Sequence, residues 1–162
     1  MTEISSNAIT IFIPSGAGAP GFAGILRCLE TEPNWRILAG DSQPNPYGKS
    51  LVDAFYLMPP SSDEENYISS LLKICGDESV DVILPITTRE LDVLAKRSEE
   101  FVSLGIQLVL SSTQSLTIAN NKGLLAEFAT KLSLPVPSFE VVNGRMGFEN
   151  AVKRLSAKGE KL

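Results

Sequence analysis

The chain has 162 residues, of which 43% are hydrophobic and 20% charged, with a net charge of −5 and no histidine. That length allows one full domain, or one domain plus part of another, and no apolar run approaches the roughly 20 residues that a membrane-crossing helix needs. The absence of histidine excludes His-based triads, His metal sites and a His general base, which leaves carboxylates, lysines, hydroxyls and backbone groups for any chemistry.

Charge is uneven along the chain. Acids outnumber bases through residue 110, which argues against nonspecific nucleic-acid binding, since that depends on Lys and Arg neutralising phosphates. Beyond residue 110 bases outnumber acids, and a domain boundary is expected there. The first seven residues carry Glu3 where a secretory signal would have a basic segment, so a cytoplasmic location is the expectation. Cys28 and Cys75 each fall in a helical pattern with apolar neighbours, which predicts two buried thiols and no disulfide or metal site.

The first element is an apolar run over Ile9, Ile11, Phe12 and Ile13, with no polar face to suggest a helix; it predicts a buried strand. The strand empties into Pro14-Ser-Gly-Ala-Gly-Ala-Pro-Gly21, where Gly16, Gly18 and Gly21 fit G-x-G-x-x-G. Pro20 suits a first helical position, and Phe22, Ile25, Leu26 and Leu29 then recur with helical spacing. Strand, glycine loop and helix in this order can bring a ligand close to the backbone and present N–H groups to a phosphate or carboxylate. The same glycines also suit a plain tight connection.

Trp35 to Gly40 predicts a second strand ending in Asp41. An acid twenty residues past Gly21 matches the ribose-binding position of a dinucleotide unit, or simply ends the strand. Ser42 to Ser50 is rich in turn formers and longer than a connection requires. Ala54 to Met58, stopped by Pro59 and Pro60, predicts an edge strand. A helix follows, with Asp63, Glu64 and Glu65 as a solvated first turn complementing the helix dipole and Tyr67, Ile68, Leu71, Leu72 and Ile74 through Cys75 as its buried face.

Val80 to Pro85 predicts the next strand, followed by the loop Ile86-Thr-Thr-Arg-Glu90 and one helix carrying Leu91, Val93, Leu94 and Phe101. In an open parallel sheet, the loops after Ile13 and Pro85 share one rim, so Thr87, Thr88 and Glu90 can face whatever the glycine loop contacts. Thr87 or Thr88 can equally cap the helix with Glu90 in its first turn. Ile106 to Leu110 is the fifth strand. The alternation predicts an α/β fold: a Rossmann-like open parallel sheet of order 3-2-1-4-5 with helices on both faces.

Past residue 110 come a short helix over residues 111–122, a second helix from Gly123 to Leu132, and the extended Leu134-Pro-Val-Pro. A strand at Phe139 to Val142, a turn at Asn143-Gly-Arg, a helix from Phe148 to Leu155 and a tail, Lys158 to Leu162, complete the sequence. This part holds too little apolar surface to close a core of its own.

Together the glycine loop, Gly40-Asp41 with Asn45-Pro-Tyr-Gly, the edge strand Asp53 to Pro59, Asp81-Val-Ile-Leu-Pro with Glu90, and Ser111 through Asn121-Lys122 to Leu134-Pro-Val-Pro carry a resemblance. The chain resembles the N-terminal, pre-ATP-grasp region of ATP-grasp ligases, in particular the carbamoyl-phosphate-synthase-like carboxylate–amine ligases. The resemblance implies a pre-ATP-grasp domain over residues 1–112 and, over 113–162, linker helices with a truncated α+β start of an ATP-grasp domain. It implies a reaction in which ATP phosphorylates a carboxylate and an amine displaces phosphate from the acyl phosphate. Ser15, Gly16, Gly18, Thr87 and Glu90 would then line the substrate side of the cleft, and Lys122 would contact ATP as a point charge. In this family Asp more often precedes that lysine, where this chain has Asn121.

A second phosphate-binding lysine, a glycine-rich lid and acids for Mg²⁺ are expected of the complete enzyme, and Lys161 does not match the lysine. The chain alone is therefore expected to be inactive, with ATP and Mg²⁺ used by the complete enzyme. A small-molecule carboxylate and ATP are the expected partners, without nucleic acid or membrane; a homo-oligomer is left open. Two other readings stand beside this one, an NAD(P)-binding Rossmann domain built on Gly16, Gly18, Gly21 and Asp41, and a non-catalytic small-ligand module.

Overall fold

The computed structural model describes residues 8–157; the acidic N-terminal segment and the tail from Lys158 lie outside the described residues. Two compact units are present, Met1–Thr113 and Gln114–Leu162.

The first unit is built on five strands: β1 (Ile9–Ile13), β2 (Trp35–Asp41), β3 (Ala54–Leu57), β4 (Val82–Ile83) and β5 (Gln107–Leu108). They form one parallel sheet of order β3-β2-β1-β4-β5, as the alternation of elements predicts. Both faces are covered, which explains why the central strands carry no polar side. Successive residues of β1 and β2 point to opposite faces. Ile11, Ile13, Ile37 and Ala39 pack against Phe22 and Leu26 of α1 (Phe22–Leu29). Phe12, Leu38 and Ile83 pack on the other side, against α2 (Glu64–Glu78), α3 (Thr88–Lys96) and α4 (Ser98–Val102), through Tyr67, Leu71, Leu94 and Phe101.

Local chemistry fixes the ends of these elements. Helix α2 starts with Glu64 and Glu65 in its first turn, as expected, and stops at Ser79 in the left-handed conformation with φ of 51°. The chain then re-enters the sheet through Val80. Gly105, φ +79°, closes the turn into β5.

Several expectations are corrected. The apolar stretch Val80 to Pro85 yields a ladder of two residues, because only Val82 and Ile83 find partners on both β1 and β5. The helix expected from Leu91 to Phe101 breaks at Arg97, whose φ of −108° and ψ of 15° leave the helical region; the turn brings Phe101 fully into the core. Pro20 lies in the turn ahead of α1, whose N-cap is Gly21. Of the two thiols, Cys75 is buried and Cys28 is exposed. Cys28 stands six residues after Phe22, about a third of a turn away from the stripe that faces the sheet.

Beyond β5 lie α5 (Thr113–Asn120), α6 (Lys122–Lys131) and α7 (Gly144–Ala157). The strand expected at Phe139 to Val142 does not form; the segment is extended but pairs with no other strand among the described residues, and a ladder needs a partner. The expected turn at Asn143-Gly-Arg is instead the start of α7, with Gly144 at φ +71°. Glu140 accepts from Nε and Nη2 of Arg154 at 2.9 and 2.5 Å, tying the extended segment to α7. Among the described residues no helix is long and apolar enough to cross a membrane.

Candidate functional site

The site lies at the carboxyl ends of the strands, where chain direction across the sheet reverses between β1 and β4, the usual place for a ligand in an open α/β sheet. The glycine loop forms one wall. Gly16 has φ +87°, and a Cβ there would stand 2.9 Å from Thr87 Cγ2 and 3.0 Å from Ile86 Cδ1, so the position takes neither a side chain nor an ordinary backbone. Gly18 donates its N–H to Asp41 Oδ2 at 3.0 Å, and Gln43 N–H donates to Oδ1 at 2.9 Å. The acid that ends β2 is thus spent on holding the loop and its own turn.

The long segment after β2 explains itself here. A 3₁₀ turn, Tyr47–Leu51, lies on the loop: Tyr47 Oη donates to Ala19 O at 2.6 Å and Gly48 N–H to Ala17 O at 3.1 Å. A Cβ on Gly48 would come within 2.5 Å of both Ala17 O and the Phe22 ring, so only glycine allows this approach. The loop is clamped from two sides before any ligand arrives.

The opposite wall is the turn into α3. Thr87 is the N-cap and Glu90 its partner in a capping box. Glu90 is fully buried. Its Oε1 accepts the N–H of Ile86 and of Thr87, each at 2.9 Å, and the Thr87 hydroxyl at 3.1 Å; its Oε2 accepts Tyr67 Oη at 2.7 Å. A carboxylate can be buried only when satisfied in this way, and among the described residues no buried side-chain polar atom lacks a partner. Burial and the neighbouring Glu90 push the Tyr67 hydroxyl pKa far up, so Tyr67 stays a donor. The two walls meet where Ser15 Oγ lies 2.8 Å from Thr87 Oγ1.

Between the walls is a cleft of about 480 Å³ whose lining includes Ser15, Gly16, Asp41, Ser42, Thr87 and Arg89. Of the residues expected to meet a substrate, Ser15, Gly16 and Thr87 converge on this cleft. Gly18 lies on the loop's outer turn, against Asp41 and Pro46, and Glu90 stands behind the wall and holds it. Arg89 escapes a sequence reading because it is one residue in an exposed helix start. In the structure it is exposed, lines the cleft and pairs with no acid among the described residues.

Lys122 is the first residue of α6, exposed beside a hollow of about 220 Å³ formed with Asn121, Gly123, Phe139, Glu140 and Val141. Asn121 is the N-cap, its Oδ1 accepting Leu124 N–H at 3.1 Å. Asn and Asp serve equally in that role, so the exchange of Asp for Asn keeps the helix start that presents the lysine. Among the described residues no three Cys, Asp or Glu side chains gather closely enough to hold a metal ion.

Residues 24–109 match the model of the PylC-like N-terminal domain. That is more than half of the chain, and the chain belongs to this family. No curated protein matches. Solved structures show the same fold: an ADP complex of N5-carboxyaminoimidazole ribonucleotide synthetase (TM-score 0.64, 20% identity) is matched over 96% of this chain and 37% of that one. The Staphylococcus aureus N5-carboxyaminoimidazole synthetase, also with ADP, gives a TM-score of 0.62 at 15% identity, over 90% of this chain and 35% of that one. An L-amino acid ligase from Bacillus licheniformis gives 0.59 at 14%, over 93% and 42%. The chain therefore spans well under half the length of these ligases, and its fold is that of their N-terminal region.

Proposed function

We propose that the chain forms the substrate-side wall of an ATP-dependent carboxylate–amine ligase. The observation that carries this reading is the cleft at the β1/β4 switch point, lined by a clamped glycine loop, the Ser15 and Thr87 hydroxyls and Arg89, which pairs with no acid among the described residues. In the reaction, a carboxylate oxygen attacks the γ-phosphorus of ATP to give an acyl phosphate and ADP. The amine then attacks the acyl carbon, the C–N bond forms and inorganic phosphate leaves.

Arg89 is suited to hold a carboxylate by a charge-assisted pair, while Ser15, Gly16 and Thr87 shape the space beside it. Lys122 contacts ATP phosphates as a mobile point charge. Because the matched ligases are more than twice as long, turnover requires further ligase structure, on this chain's continuation or on a second chain, and that structure supplies the Mg²⁺ ligands. Among the described residues there is no such ligand cluster. The setting is cytoplasmic. A dinucleotide site is less well supported, because Asp41 and the Gly18 N–H satisfy each other.

The test is hydroxylamine trapping of acyl phosphate by the assembled ligase that contains this chain, with ATP, Mg²⁺ and a panel of small carboxylates. A carboxylate-dependent hydroxamate is expected. Arg89→Ala should raise KM for the carboxylate about tenfold or more with KM for ATP unchanged, and Lys122→Ala should do the reverse. Phosphate release with no hydroxamate from any carboxylate would overturn the reading.

A further inference from the structure

The proton inventory of the wall fixes what the cleft can recognise. Glu90 Oε1 already accepts two backbone N–H groups, from Ile86 and Thr87, and these can only donate. The oxygen is thereby an acceptor, so the Thr87 hydroxyl 3.1 Å away spends its single proton on it. Thr87 Oγ1 then has only lone pairs left for Ser15, whose Oγ lies 2.8 Å off. Ser15 in turn spends its only proton on Thr87. What remains of Ser15 is a pair of acceptor lone pairs, with Asp41 and Arg89 lining the same cleft.

We infer that Ser15 is a specificity-determining residue that accepts a hydrogen bond from an ammonium or N–H group of the ligand and rejects an oxyanion at that position. The inference rests on the substrate-cleft reading above and deepens it. It reverses the usual expectation for a glycine-rich loop, which is a phosphate or carboxylate: here a buried carboxylate two side chains away holds the Thr87 and Ser15 protons inward. Glu90 and Thr87 act through Ser15 as positioning residues. An oxyanion placed against Ser15 would meet lone pairs, in a cleft that the Asp41 carboxylate also lines; an ammonium there would meet acceptors.

Two probes of equal length separate the possibilities: 4-aminobutyrate, with an ammonium opposite its carboxylate, and glutarate, with a second carboxylate in that place. Each is titrated into the 162-residue chain while the backbone amide resonances of Gly16, Thr87 and Arg89 are followed. The unaltered chain should prefer 4-aminobutyrate by about tenfold, the size of one charge-assisted hydrogen bond gained or lost. In Thr87→Val the Ser15 proton loses its acceptor and can turn to the cleft, so the preference should collapse to near unity. Thr87→Ser restores the relay and should restore the preference, which a purely structural role for Thr87 would not require.

Equal or tighter binding of glutarate by the unaltered chain, at the same amides, would overturn the inference and leave the cleft standing as a ligand site. A preference that survives Thr87→Val unchanged, in a variant whose spectrum remains dispersed, would also overturn it. Shifts by neither probe at the cleft amides would overturn both the inference and the substrate-cleft reading.

Discussion

The two units of the chain treat their apolar residues in opposite ways. In the first, Phe12, Phe22, Tyr67, Leu71 and Phe101 are all within 1% of complete burial. In the second, Phe128, Leu132, Leu134 and Phe148 expose 44%, 56%, 54% and 60% of their surface, and α6 buries no residue at all. A sheet covered on both faces closes its own core, whereas three helices and an extended segment with no strand partner do not. Apolar side chains should therefore determine stability in one unit and hardly matter in the other.

The largest effect expected is that of Phe12→Ala. Phe12 sits in β1, the central strand of the sheet, with 0% exposure, against Tyr56, Leu38 and the helices of that face. Its truncation should cost about 3–5 kcal/mol in denaturant unfolding. The thiols give an independent measure. Cys75 belongs to the same cluster and burial pushes its pKa up to about 12, so it should react with a disulfide reagent only when that cluster opens. Exposed Cys28 should react at once. Phe12→Ala should accelerate labelling of Cys75 and leave Cys28 unchanged; equal acceleration of both would show that the core does not open as one unit.

The next effect should come from a polar residue inside that core. Glu90→Leu fits the space but strands two backbone N–H groups and Tyr67 Oη, and it should cost about 3 kcal/mol. Glu90→Gln keeps an oxygen for the N–H pair and should cost clearly less. If the two variants were equally stable, the carboxylate would not be holding the turn into α3.

How much of this was legible follows from how local each signal is. The sheet order and the succession of elements could be read because the apolar runs at Ile9 to Ile13 and Trp35 to Gly40 and the helical stripes between them are continuous in sequence. The expectation that Thr87 and Glu90 form a capping pair rested on spacing alone and is met, yet nothing in the spacing says that Glu90 is fully buried beneath Tyr67, twenty-three residues away. The use of the long loop after β2 could not be read either. Tyr47 and Gly48 earn their role from contacts with Ala19 and Ala17 across the site. Arg89 gave no signal because a lone arginine in a helix start is ordinary, and the strand at Phe139 failed because a strand is a property of a pair.

A smaller, pH-dependent effect belongs to the rim of the first unit. Hydrogen bonds from Tyr56, first, and from Arg36 hold the Glu78 carboxyl below its usual range. A group whose pKa is lowered by folding contributes stability above its unfolded value and loses it as pH falls through the folded one. The first unit should accordingly weaken on the acid side of pH 4.5, the ordinary value for Glu. Tyr56→Phe removes the leading hydrogen bond and should flatten that acid-side slope by lowering stability at neutral pH, the difference from the unaltered chain vanishing once the Glu78 carboxyl is protonated. An unchanged slope between pH 5 and pH 2, measured by urea unfolding, would show that the pair is not formed in solution.

The smallest effect expected lies where the contrast is sharpest. Phe128 is as large and apolar as Phe12, but 44% of its surface is exposed on α6. Phe128→Ser removes little that is buried and should change stability by no more than about 0.5 kcal/mol. It should also raise solubility, because Leu124, Leu125, Phe128 and Leu132 recur at helical spacing and are all exposed. A cost approaching that of Phe12→Ala would mean that this side chain is covered in solution. Sedimentation at two protein concentrations then separates the causes. If the cost grows with concentration alongside a heavier species, a second copy covers α6; if it is independent of concentration, the second unit closes on itself and the contrast between the two units fails.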